Sequence, residues 1–217
     1  MTKIRPPYKE MLKNGPFIGS VTTILNRFKN AGPLMYWAWE QGKEGKDFRE
    51  TRDHAADIGT CAHAMVEANW RNEPFDAVPW ASAVIEKALV AYEAYSEWAR
   101  QTQLQVIEGE MPLVSETYRY GGTLDALMLN GKLALGDWKT SGGVYPEYLL
   151  QLAAYRQLWE ENFPDRPITG GFHLLRFDKT YGDFEHRYFA ELETAWKAFA
   201  LMLSLYERMK VLEKRVK

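Results

Sequence analysis

The stretch from Arg119 to Thr140 constrains the fold more than any other. Two runs of β-prone residues, Arg119–Leu129 and Lys132–Lys139, flank Asn130-Gly131. Asn-Gly between such runs signals a β-hairpin, because both residues tolerate the left-handed backbone of a tight turn. A chain with this hairpin must build a sheet around it, and its other elements must cover that sheet.

The flanking sequence supplies the cover. Ser20–Phe28 reads as a helix capped by Ser20 or Thr22 and broken by Gly32-Pro33. Leu34–Trp39 opens a second, aromatic helix. Asp53–Trp70 reads as a third, weakened in its middle by Gly59. Trp80–Gln101 reads as a fourth, with Val84, Ala88, Ala91, Tyr95 and Trp98 at helical spacing. Gln105–Val114 is a strand ahead of the hairpin. Pro146–Asn162 returns to helix, with Pro146 suited to the first turn. Ile168–Phe177 and Asp183–Phe189 read as strands joined near Tyr181-Gly182-Asp183, and Leu192 to about Lys214 as a closing helix. This order predicts an α/β (α+β) fold with a mixed sheet of about five strands flanked by helices. The expected organisation is one domain over residues 1–217: a mainly helical part (1–101), a sheet core with an inserted helix (102–190) and a C-terminal helix (191–217).

Composition narrows the function. The single cysteine, Cys61, excludes a disulfide framework, a cysteine-only zinc site and a four-cysteine iron–sulfur cluster. Cys61 is expected to pack as a small apolar residue. Apolar runs are too short for a membrane span and the N-terminus lacks a signal-peptide core, so the expected location is cytoplasmic. The net charge of −2 argues against a uniformly basic nucleic-acid binder. It hides an asymmetry: residues 1–52 carry +5, residues 53–137 carry −8 and residues 138–217 carry +1. The acids within apolar strands matter most, because a buried carboxylate needs a partner, hydrogen bonds or a metal.

Asp125 and Asp137 are such acids, one on each arm of the hairpin, and side-chain alternation puts Asp137 and Lys139 on one face. Two adjacent carboxylates repel unless a cation lies between them, and oxygen donors suit Mg2+ or Mn2+. Register tests the idea. A two-residue loop at Asn130-Gly131 sends Asp125 and Asp137 to opposite faces. A three-residue loop over residues 129–131, with Gly131 left-handed, or a bulge at Gly121, Gly122 or Gly136, puts them on one face. The three-residue loop is the expectation; carboxylates on opposite faces would overturn the metal site.

Gly122-Thr123-Leu124-Asp125, followed by Asp137-Trp138-Lys139-Thr140, resembles the core of the PD-(D/E)XK nuclease superfamily. The likeness is to its RecB-like branch, which includes phage-type exonucleases and the mitochondrial genome-maintenance exonuclease. Gly59-Thr60 with His63, Gln151 with Tyr155, and Ser20-Val-Thr-Thr-Ile-Leu with Leu34 and Trp37 resemble further motifs of that branch. The resemblance covers roughly residues 20–160 and implies a restriction-endonuclease-like core. It implies a Mg2+-dependent (or Mn2+-dependent) deoxyribonuclease, most of all an exonuclease of phage recombination, repair or processing. As metal ligands it implies His63, Asp125, Asp137 and the Trp138 main-chain carbonyl, with Glu110 as a further acid. Lys139 would orient water and steady phosphate charge. Gln151 and Tyr155, one helical turn apart, would contact phosphate or brace Lys139.

DNA is the implied partner, with a single-strand annealing or recombination protein as a further one. Lys3, Arg5, Lys9, Lys13, Arg27 and Lys29 are the expected electrostatic footprint, with Thr140 and Ser141 beside the site. Competing readings are a structure-specific endonuclease, a non-catalytic DNA-binding accessory protein retaining the fold, and a hydrolase of another phosphoester. Residue by residue, blander roles compete. Taken alone, Gln151 reads as a surface residue and Tyr155 as core. Glu67 reads as solvated or as an acceptor for His63, and Glu108 and Glu116 as surface acids. His54, His173 and His186 read as structural. Trp37 or Trp39 could stack on a base.

Overall fold

The computed structural model describes residues 6–177 and 184–216, without the side chains of residues 51–55, 126 and 127. Lys3, Arg5 and the turn expected near Tyr181 lie outside the described residues. The elements follow in the order α1 (Tyr8–Met11), β1 (Gly19–Ser20), α2 (Val21–Phe28), α3 (Gly32–Lys43), α4 (Phe48–Trp70), α5 (Ser82–Gln101), β2 (Gln105–Val114), β3 (Tyr120–Leu129), β4 (Lys132–Thr140), α6 (Pro146–Asn162), β5 (Phe172–Phe177), β6 (Phe184–Phe189) and α7 (Glu193–Arg215).

The strands form one mixed sheet in the order β1-β3-β4-β5-β6, with β2 on the other edge of β3. The α/β expectation is borne out. The described sheet has six strands rather than five, because β1 adds a two-residue parallel pairing that no periodicity could announce. Helices cover both faces. On one, Leu124, Leu135 and Leu174 pack with Ile24 of α2, Leu152 and Trp159 of α6 and Phe199 of α7. On the other, Trp138, Leu175 and Phe177 pack with Val66 of α4 and Ala91 and Tyr95 of α5.

Local chemistry sets the element ends. The Ser20 hydroxyl accepts from Thr23 N–H and caps α2, one of the two caps expected. Asp47 accepts from Arg49 N–H and starts α4 five residues before the expected Asp53. Gly59 is no weak point. A Cβ there would lie 2.3 Å from the Thr140 Oγ1, so the glycine lets α4 lie directly on β4. At the hairpin, Leu129 pairs with Lys132, and Asn130 and Gly131 both have positive φ (51° and 75°). The loop is therefore a two-residue turn with both central residues left-handed, not the expected three-residue loop.

Candidate active site

The register decides which side chains meet. β3 and β4 pair from Leu129/Lys132 up to Asp125/Gly136 and no further. Beyond that point β4 stays on β5 through Thr140, while the same edge of β3 is taken up by β1 at Tyr120 and Gly121. A gap opens in the sheet plane beside Gly122, Thr123 and Leu124.

Asp125 lies opposite Gly136, so it and Asp137 project to opposite faces. The expectation that they share a face is contradicted, because no bulge interrupts this pairing. The register therefore does not bring the two carboxylates together on one face of the hairpin. Asp137 and Lys139 face α6. Asp125 projects toward α4 and α5. His63 lies on that second side too, edge-on to Phe177 with ring centroids 6.2 Å apart. Among the described residues, no group of three or more His, Cys, Asp and Glu is placed to hold a metal.

On the α6 face the structure gathers four expected residues. Lys139 Nζ donates to Asp137 Oδ1 at 2.9 Å and to Gln151 Oε1 at 3.0 Å. Gln151 Nε2 donates to Tyr155 Oη at 2.7 Å. The chain is buried: the side chains of Lys139 and Asp137 are 19% and 10% exposed. Gly122 makes room for it, since a Cβ there would come within 2.7 Å of the Tyr155 ring. Burial pushes the Asp137 carboxyl above the ordinary aspartate value, while Lys139 pulls it down. Burial likewise raises the Tyr155 phenol, as does the charge of Asp137, so it stays protonated. The sequence missed Tyr148, whose ring lies 5.1 Å from Lys139 Nζ. Its position one turn before Gln151 could have signalled it, but Tyr at that spacing reads equally as core.

The fit to a divalent cation rests on one atom. Asp137 Oδ2 is buried and accepts no hydrogen bond, although Lys139 Nζ approaches it to 2.8 Å. The Trp138 carbonyl adds a second oxygen. Leu135 N–H donates to Gly171 on the β5 side, so strand alternation turns the Trp138 peptide toward the gap. Mg2+ takes few protein ligands and completes its shell with water and phosphate oxygens. The residues fit a cation of that open kind, not the expected five-donor set.

The remaining expected donors are tied into the scaffold. Glu110 sits in an irregular part of β2 with φ 54° and is exposed. Its N–H donates to Asp125 Oδ1 at 2.9 Å, so its backbone meets the hairpin. The basic footprint is partly neutralised. Arg27 pairs with Glu213 at 2.6 Å and Lys29 with Glu147 at 3.3 Å. The Lys13 backbone binds Glu116, whose acidity is strengthened by that N–H and by the lysine charge. Lys9 lines a cleft of about 850 Å³ that also includes Ser20, Glu110, Thr123, Tyr155 and Lys210. Thr140 is pinned under Gly59, and Ser141 Oγ donates to the Gly143 carbonyl.

No family model and no curated protein matches the chain. Among solved structures, a chain described as "Putative exonuclease" from Eubacterium rectale aligns with a TM-score of 0.47 at 12% identity. The alignment covers 68% of this chain and 64% of that one, under two thirds of its length. A structure called SSO0001 aligns with a TM-score of 0.33 at 16% identity, covering 71% and 74%. Likeness at this level carries no argument about what the chain does.

Proposed function

We propose that the protein is a Mg2+-dependent deoxyribonuclease, acting as an exonuclease in phage-type DNA recombination, repair or processing. The observation that carries the reading is the buried Asp137–Lys139–Gln151–Tyr155 chain beside a gap in the sheet. An ammonium has three N–H donors. Asp137 and Gln151 take two, which leaves one for a phosphate oxygen. Gln151, held by Tyr155, fixes the direction of that donor before substrate arrives. Preorganised charge of this kind acts on the charge that develops at phosphorus during in-line attack by water. A cation at Asp137 Oδ2 and the Trp138 carbonyl would supply further neutralisation of the phosphate. Asp125 and His63, on the opposite face, would serve as outer supports of the site. The sequence resemblance supports the same reading.

A non-catalytic DNA-binding protein of the same fold is the second reading. The carboxylates on opposite faces favour it. Digestion of 5′- and 3′-labelled linear DNA, and of circular DNA, with and without Mg2+, separates the alternatives. Metal-dependent release of mononucleotides from one end is expected. Cut circles would make the protein an endonuclease, and no cleavage with intact DNA binding would establish the second reading.

A further inference from the structure

A second cleft, of about 880 Å³, lies on the side of α2 that carries Leu25, Phe28 and Lys29. Its walls are the aromatic face of α3, the end of α2 and the turn between β4 and α6. Trp37, Tyr145 and Tyr148 supply rings, Leu34 and Phe28 supply apolar surface, and Lys29 lines it paired with Glu147. Its floor is Thr140–Gly142, the direct continuation of the strand that carries Asp137 and Lys139. Tyr148 belongs to both places: it lines the cleft and lies against Lys139 Nζ.

This cleft is poorly explained as core. Within α3 no residue is buried; of the two α3 side chains that line the cleft beside Pro33, Leu34 is 58% exposed and Trp37 is half-buried, edge-on to Phe48 at 6.4 Å. Tyr145, at the opposite wall, is 45% exposed and meets Tyr148 edge-on at 5.6 Å. One exposed and two half-buried rings beside a site for phosphate chemistry offer faces to unpaired bases. A base offers a π-face to an aromatic ring only when it is unstacked, and a duplex covers those faces except at its ends.

We infer that the cleft holds the unpaired bases of a single DNA strand, stacked on Trp37 and Tyr145, and leads that strand's backbone past Tyr148 to Lys139. The inference rests on the nuclease reading for the identity of the chain bound and adds its strandedness. The aromatic walls supply sequence-tolerant stacking; the two charged residues of the lining, Lys29 and Glu147, pair with each other, so the affinity rests on the rings. Tyr148 then has two duties, holding the ammonium and ending the stack.

The test is fluorescence anisotropy of a labelled twelve-nucleotide oligothymidylate and of a blunt duplex, with the full chain in EDTA so that nothing is cut. The single strand should bind at least about ten-fold more tightly. Trp37→Ala and Tyr145→Ala should each weaken it about five- to one-hundred-fold. Trp37→Phe should restore most of that loss, and thermal unfolding of each variant, unchanged from the wild type, separates lost stacking from a folding defect. Trp39→Ala is the control, since Trp39 lies tilted against Tyr36 and does not line the cleft. Equal binding of duplex, or unchanged binding by Trp37→Ala and Tyr145→Ala, overturns the inference. Cleavage without strand preference would overturn the cleft and keep the nuclease; aromatic-dependent strand binding without cleavage would do the reverse.

Discussion

Lys139 is held where removing it costs most. Its ammonium compensates a carboxylate that is almost wholly buried. Breaking such a pair by deleting one partner destabilises by about 3–5 kcal/mol, because the other charge is stranded. Lys139→Met should therefore lower the unfolding free energy by about that much near pH 7. The loss should shrink in acid. Asp137 titrates above its unfolded value, so as pH falls through the folded value it takes up a proton before the unfolded chain does. Urea unfolding at pH 7 and pH 5 measures both effects; an equal loss at the two values would contradict them. At this scale much was legible. Asp137-x-Lys139 share a face by alternation, and Gln151 and Tyr155 by one helical turn, and the structure joins all four. Tyr148 was not legible, since nothing local separates an ammonium-facing ring from a core ring.

Elements explain why the carboxylate expectation failed. Parity around Asn130-Gly131 was the right test, but turn length could not be read from two residues that suit several loops. Nor could the sequence show that pairing stops at Asp125/Gly136, because the rival for that edge of β3 is Gly19–Ser20, about a hundred residues away. Gly59 shows the converse. It reads as a helix defect, yet it is the contact that seats α4, and with it His63, against β4. Gly59→Ala should overpack this contact and destabilise by about 1–3 kcal/mol, measured by thermal unfolding; an unchanged midpoint would mean that α4 does not rest on Thr140.

The β5–β6 hairpin carries its own test. His173 Nδ1 and His186 Nε2 lie 2.9 Å apart with nearly parallel rings, and burial lowers the His173 value to about 4. The folded state resists a proton that the unfolded chain accepts, so this stabilisation is complete above pH 6.5 and lost as pH falls toward 4. It amounts to about 3 kcal/mol, and His173→Gln should flatten that part of the stability–pH curve.

At the scale of the whole molecule, charge takes a different shape from the sequence totals. The +5 of residues 1–52 reads as a DNA footprint, but Arg27 and Lys29 meet acids of α7 and α6, contacts that no segment sum can anticipate. The proposed binding surface is instead the two clefts that flank α2, the first of which reaches the gap at Gly122 and Thr123. Arg27→Gln should leave the salt dependence of DNA affinity nearly unchanged. Lys9→Gln, in the first cleft, should reduce the log–log slope by about 0.7–0.9. Among the described residues, no helix is long and apolar enough to cross a membrane. The layered α/β arrangement was legible because periodicity and turn residues agreed along most of the chain. The gap was not, because it arises where β1, from about a hundred residues away, takes the strand edge that β4 leaves.

The central claim is that the Asp137–Lys139 pair hydrolyses DNA. Initial rates of Mg2+-dependent digestion of end-labelled single-stranded DNA, for the wild type, Asp137→Asn and Lys139→Met, test it most directly. Each substitution should lower the rate by about a hundred-fold or more while DNA binding in EDTA persists. Wild-type rates in both variants would contradict the account.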